Sequence, residues 1–188
     1  MDEKGENLLY TSNEASPIES HLYKVNLKTG KRTQLTQEKG VHAVQLSLTG
    51  KTALDTYSSQ YNPGKVVEID LETLQITREV VVGYQPEEMV INNGRLYVAN
   101  SGGYRFPNYD RTVSVVDLQS FQVVNTIDVA INLHRMEIDK QGRIYVSSRG
   151  DYYGVGSDIY VIDSHTEKVT GKLGIAASEM CMDDNRLY

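Results

Sequence analysis

A single turn-and-strand signature returns along nearly the whole chain, and that periodicity restricts the fold more than any other property. Gly50-Lys51, Gly94-Arg95, Gly142-Arg143 and Asn185-Arg186 each precede a strand start, at Thr52-Ala53-Leu54, Leu96-Tyr97-Val98, Ile144-Tyr145-Val146 and Leu187-Tyr188. Leu9-Tyr10 belongs to the same series. Positions 9, 52, 96, 144 and 187 are separated by 43, 44, 48 and 43 residues, within the roughly 40–50 residues of repeats that stack one small sheet after another. A unit of that length cannot bury its apolar face alone, so neighbouring units must cover one another.

The third repeat shows what the unit contains. Arg135-Met136-Glu137-Ile138, Ile144-Tyr145-Val146-Ser147, Asp158-Ile159-Tyr160-Val161-Ile162-Asp163 and Glu167-Lys168-Val169-Thr170-Gly171-Lys172-Leu173 are short alternating runs separated by Gly, Asp or Asn turns. That is the pattern of a four-stranded antiparallel meander, with strands A to D running from inside to outside. Asp70, Asp117 and Asp163 close strand C in register, where a carboxylate can accept N–H bonds from the turn that follows. The fold class is therefore all-β: a β-propeller segment of about four four-stranded antiparallel blades, expected to be part of a larger ring. Complete blades fall at about 41–82, 87–129 and 134–173, with strands B, C and D of an earlier blade before them and a further strand A at 178–182. Open blade edges make self-association an expected behaviour.

Composition removes several functions. The net charge is −6 and no Lys/Arg stripe occurs, which argues against nucleic acid. No uninterrupted apolar run, Val80-Val81-Val82 included, approaches the ~20 residues that cross a bilayer as a helix. The single cysteine, Cys181, allows no intrachain disulfide and by default is a buried, inert thiol. No Gly-x-Ser-x-Gly elbow is present, no cofactor is implied, and no close-spaced ligand pair supports a metal. The expectation is a chain without catalytic activity.

Two resemblances cover different parts of the chain. Residues 60–188 carry Gly94-Arg95-Leu96-Tyr97-Val98-Ala99-Asn100, Val113-Ser114-Val115-Val116-Asp117 and Val123-Val124-Asn125-Thr126-Ile127-Asp128-Val129, and from Tyr61 onward the sequence resembles the YncE-like, YVTN-repeat propellers. That likeness implies a bacterial, non-catalytic propeller, often a lipoprotein, in the periplasm or at the cell surface. Residues 1–59, through Asn13-Glu14-Ala15-Ser16-Pro17-Ile18-Glu19-Ser20-His21-Leu22-Tyr23 and Asp55-Thr56-Tyr57-Ser58-Ser59, resemble the last propeller blade of dipeptidyl peptidase IV-type serine peptidases. That second likeness implies an accessory propeller beside a hydrolase domain.

Strand alternation places candidate site residues without reference to any family. The D–A and B–C loops emerge on one face, so residues opening strand A converge there with the B–C loops. Aligning Val44, Met89, Met136 and Met180 puts His42, Glu87 and His134 on one level and Glu88, Arg135 and Glu179 on the next. The B–C loops contribute Tyr104, Tyr109, Tyr152 and Tyr153, amphipathic side chains that lose little entropy on contact. One reading makes this face a binding site for a protein, peptide or glycan. The other has the aromatics packing between blades while Arg135 bridges Glu88 and Glu179. Arg149-Gly150-Asp151 could also be read as an adhesion tripeptide, although a chance loop is the simpler reading.

Overall fold

A computed structural model describes residues 5–47, 51–58 and 63–188. Gly50 of the turn series, Ser59 and Tyr61 lie outside the described residues. The chain divides into two compact units, residues 1–81 and 82–188, each built from meandering antiparallel sheets. Among the described residues, no helix is long and apolar enough to cross a membrane.

In the first unit, β1 (Asn7–Ser12), β2 (His21–Asn26) and β3 (Arg32–Gln34) form a three-stranded sheet. A four-stranded sheet of β4 (Val41–Leu46), β5 (Thr52–Ser58), β6 (Lys65–Asp70) and β7 (Gln75–Val81) follows. A parallel bridge joins Ser20 to Val41, and β4 lies against β1 and β2. Leu22, Ala53, Val67, Ile69 and Leu71 form the core of this unit.

The second unit repeats the plan. One sheet comprises β8 (Pro86–Asn92), β9 (Arg95–Asn100), β10 (Thr112–Asp117) and β11 (Gln122–Asp128). The next comprises β12 (Leu133–Ile138), β13 (Arg143–Ser148), β14 (Asp158–Asp163) and β15 (Lys168–Lys172). The inner strand β12 packs on β8 and β9, and Tyr97, Val113, Leu133, Ile144 and Ile162 fill the space between the sheets. Burial falls steeply outward. β9 is buried along almost its whole length, whereas every residue of β15 is exposed. A strand covered on both faces reads as a continuous apolar run, as Leu96-Tyr97-Val98-Ala99 does, and a rim strand does not.

The C–D turn is rebuilt four times from one device. Asn26, Asp70 and Asp117 place a side-chain oxygen on backbone N–H groups of the turn at 2.9, 2.7 and 2.7 Å, and Asp163 does so at 2.8 Å. The turn then closes through a left-handed residue: Gly30, Leu74, Phe121 or Glu167, with φ of 70°, 61°, 54° and 53°. Those N–H bonds hold the Asp70, Asp117 and Asp163 carboxyls below the ordinary carboxylate range.

Three features differ from the sequence reading. The strand A expected at 178–182 is reduced to β16 (Met182–Asp183), which pairs with β17 (Arg186–Leu187) at the expected following strand start and is flanked by reciprocal Cys181–Tyr188 backbone bonds. The tight Asp183-Asp184-Asn185 turn favours local pairing, with Asp184 at φ 53°. Cys181 is exposed rather than buried, because the chain around it packs against no core. Finally, one short 3₁₀ turn, Gly103–Arg105, interrupts an otherwise all-strand pattern.

Candidate functional site

The loops of the second unit meet as strand alternation requires. The turn before β8 binds the loop after β9: Ser101 N–H donates to the Gln85 carbonyl, Gly102 N–H to Tyr84, and Tyr84 N–H to Asp110 Oδ2 at 2.8 Å. Before β12 the pattern recurs, with Arg149 N–H donating to the Asn132 carbonyl and Asn132 Nδ2 to the Gly150 carbonyl. Each long loop leaves its strand through a left-handed glycine with no room for a side chain. A Cβ on Gly102 would sit 2.2 Å from Asp110 N, and one on Gly150 would sit 2.0 Å from the Val155 carbonyl oxygen.

These anchored loops hold their aromatics outward. Tyr104, Phe106, Tyr152 and Tyr153 are 69%, 61%, 72% and 85% exposed, so they do not pack between blades. Phe106 lies 6.0 Å from Tyr109 and 5.9 Å from Tyr153, centroid to centroid, which joins the two loops into one surface. Tyr109 is half-buried beneath it. Asp151 fixes the second loop by accepting the N–H groups of Tyr153, Gly154 and Val155 at 2.8–2.9 Å. Those bonds lower its carboxyl pKa. They also turn Asp151 inward, so Arg149-Gly150-Asp151 is not displayed as an adhesion tripeptide.

Charged groups line the strand openings beside this surface. Glu87 on β8 and His134 on β12 approach to 3.6 Å, and Arg149 Nη1 lies 3.6 Å from Glu87. Burial pulls the Glu87 carboxyl upward, but His134, the Arg149 guanidinium and the Ser101 hydroxyl outweigh it and hold the group below its ordinary range. Arg149 Nη2 stands 2.7 and 3.0 Å from the two His134 ring nitrogens. A guanidinium only donates, so an imidazole nitrogen must accept. One level along, Arg135 donates to Glu88 at 3.1 Å and to both Glu179 oxygens at 2.8 and 3.2 Å. The bridge weighed at the sequence level is thus present, and it ties β8 and β12 to the segment that precedes the last hairpin.

Of the expected site residues, the second unit holds three contact groups: Glu87 with His134, Glu88 and Glu179 with Arg135, and Tyr109 and Tyr153 about Phe106, with Tyr104 and Tyr152 exposed on the same two loops. His42 belongs to the first unit, where its partners are local: Asp55 Oδ2 at 2.6 Å and the Glu38 carbonyl at 2.9 Å, with the His21 and Tyr57 rings 5.1 and 5.2 Å away. Among the described residues no group of three or more His, Cys, Asp or Glu side chains could hold a metal. Sequence reasoning missed Arg149, Ser101 and Asp55. The first two immediately precede the loop glycines, and Asp55 pairs with Val44 two positions from His42, so a register drawn from the hairpin would have found it.

Comparison with known proteins places these features. Residues 1–64 match the dipeptidyl peptidase IV (DPP IV) N-terminal region, a propeller region. Among solved structures, the Kuenenia stuttgartiensis hydrazine synthase is similar with a TM-score of 0.73 at 19% identity, over 96% of this chain and 49% of that one. The dihydro-heme d1 dehydrogenase NirN in complex with DHE is similar with a TM-score of 0.57 at 16% identity, over 85% of this chain and 35% of that one. This chain therefore spans half or less of the length of either structure, and the likeness carries the fold alone: a propeller segment.

Proposed function

We propose that the chain is a non-catalytic binding module, which captures a protein, peptide or glycan on the face formed by the B–C and D–A loops of the second unit. The observation that carries this reading is the outward aromatic surface of Tyr104, Phe106, Tyr152 and Tyr153, fixed by buried loop anchors and flanked by Arg149 and Glu87. Rigid exposed aromatics cost little entropy on contact and dominate interface energetics. The local chemistry fits binding better than catalysis. The Ser101 hydroxyl donates to the Glu87 carboxylate at 3.1 Å, and it is Glu87 rather than Ser101 that faces the His134 ring, so the side chains are not in the Ser–His order of an activated nucleophile. The likeness of residues 60–188 to YncE-like repeats supports the same reading and a periplasmic or cell-surface setting.

The test is capture from a glycan array and a displayed peptide library by the wild-type chain and by the Tyr104→Ala/Tyr152→Ala variant. Capture by the variant is expected to weaken at least about tenfold, with melting changed by no more than about 2 °C. A large melting loss with no ligand found would return these residues to a packing role. The match of residues 1–64 favours a second reading, an accessory propeller of a dipeptidyl peptidase IV-type enzyme. Turnover of a prolyl dipeptide chromogen by the same preparation, abolished by a serine-reactive inhibitor, would overturn the non-catalytic reading, and selective capture of proline-containing peptides without turnover would favour the accessory propeller.

A further inference from the structure

A crevice of about 470 Å³ opens inside the first unit. Its origin is a mismatch of strand lengths. β3 has three residues and β7 has seven, so the first sheet ends before it covers the outer part of its neighbour, and Ile76 is left 59% exposed. The volume falls in the ~300–1,000 Å³ range of small-molecule sites.

The inner wall carries an incompletely satisfied carboxylate. Asp55 is 1% exposed and lines the crevice together with His42 and Tyr57. Its Oδ2 is engaged by His42 Nδ1 at 2.6 Å, whereas Oδ1 is buried with no hydrogen-bond partner among the described residues. His42 Nε2 meets the Glu38 carbonyl at 2.9 Å. Both ring nitrogens therefore face acceptors, and either the imidazole is doubly protonated or the proton resides on Asp55. In the first state Oδ1 is an anionic acceptor lacking a donor, which is costly in a buried place. The remaining wall defines what could supply that donor. Glu79 and Lys65 approach each other to 3.4 Å at the outer end, Glu38 adds a second carboxylate, and Leu35, Val67, Leu74 and Ile76 provide an apolar side.

We propose that this crevice binds a small organic ammonium ion, its charged head donating to Asp55 Oδ1 and its apolar body lying along Leu74 and Ile76. The charge balance favours this class over an anion, since three carboxylates on the wall stand against one lysine and one histidine. A charged donor also gives a stronger bond to a carboxylate than a neutral one.

The experiment titrates the chain at pH 7.5 with benzylammonium chloride and, separately, with the near-isosteric neutral benzyl alcohol, followed by NMR shifts of backbone amides. Saturable binding of the ammonium is expected with a dissociation constant on the order of 1 mM, and the alcohol should bind at least about tenfold more weakly. The shifted amides should fall within residues 33–79. Ile76→Trp, on an exposed strand position, fills the mouth and should weaken ammonium binding at least about tenfold while circular dichroism stays unchanged. Asp55→Asn, where it folds, should weaken the ammonium and leave the alcohol alone. Equal binding of the two probes, wild-type affinity in Ile76→Trp, or no saturation by the ammonium overturns the proposal.

Discussion

His42 and Asp55 show how one buried pair sets a pH response. Burial pulls the His42 pKa down, but the Asp55 hydrogen bond and charge, with the Glu38 carbonyl and carboxylate, outweigh it and raise the value above its ordinary ~6.5. The Asp55 carboxyl is also raised, because burial outweighs the favourable His42 and His21 contributions. With both folded values above the unfolded ones, the native pair holds more protons than the unfolded chain from about pH 4 to beyond the His42 titration, and stability must fall as pH rises through that window. The contribution is fully present below the unfolded values. The melting temperature of the wild type should thus decline between about pH 5 and pH 8, and His42→Gln should flatten that slope; an unchanged slope in the variant would remove the pair as its cause. Asp70, Asp117 and Asp163 act with the opposite sign, stabilising above their unfolded pKa and losing that contribution as acid protonates them. Those three aspartates were legible in the sequence because an Asx turn is local chemistry. The His42–Asp55 contact was not, since it depends on the register of β4 against β5.

Strands and turns were the most readable level. Each complete blade fell within a few residues of its expected limits, since period-2 alternation and Gly or Asp turns leave little freedom. Less visible was the left-handed closure of the C–D turn at Leu74, Phe121 and Glu167, residues whose propensities disfavour positive φ. Phe121 is 2% exposed, and its burial offsets the local strain. A register shift also recurs between the last two strands of all three complete blades, at Glu68/Ile69, Val115/Val116 and Val161/Ile162. Such bulges twist an outer edge away from further pairing, which weakens the expectation of association through the D strands. The loops after β9 and β13 depend on their glycines in a way that substitution can measure. Gly150→Ala places a methyl against the Val155 carbonyl at positive φ and should cost about 2 kcal/mol or more in urea unfolding, together with loss of ligand capture. Gly154→Ala, in the same loop but with nothing within 4 Å of the added carbon, should be nearly silent. Equal effects from the two would mean that the loop lacks the anchored shape described.

Across the whole chain, the family match and the first structural unit end at different places. The match to the DPP IV N-terminal region ends at residue 64, between β5 and β6, yet those strands pair from Thr52 with Asp70 to Tyr57 with Lys65. Backbone pairing joins them into one sheet whatever the ancestry of each side. The structural division falls at residues 81 and 82, after a complete blade, and could not be read from sequence because repeats of equal length look alike on both sides of it. Each unit encloses its own apolar cluster: Leu22, Ala53, Val67, Ile69 and Leu71 in the first, and Tyr97, Val113, Leu133, Ile144 and Ile162 among others in the second. Separate cores allow local opening with separate free energies. Leu133 is 0% exposed, so Leu133→Ala should cost about 2–5 kcal/mol through the lost contacts and the cavity left behind. Hydrogen exchange should then accelerate in residues 82–188 by several orders of magnitude more than in 1–81. Uniform acceleration along the chain would instead show that the two cores unfold as one cooperative body.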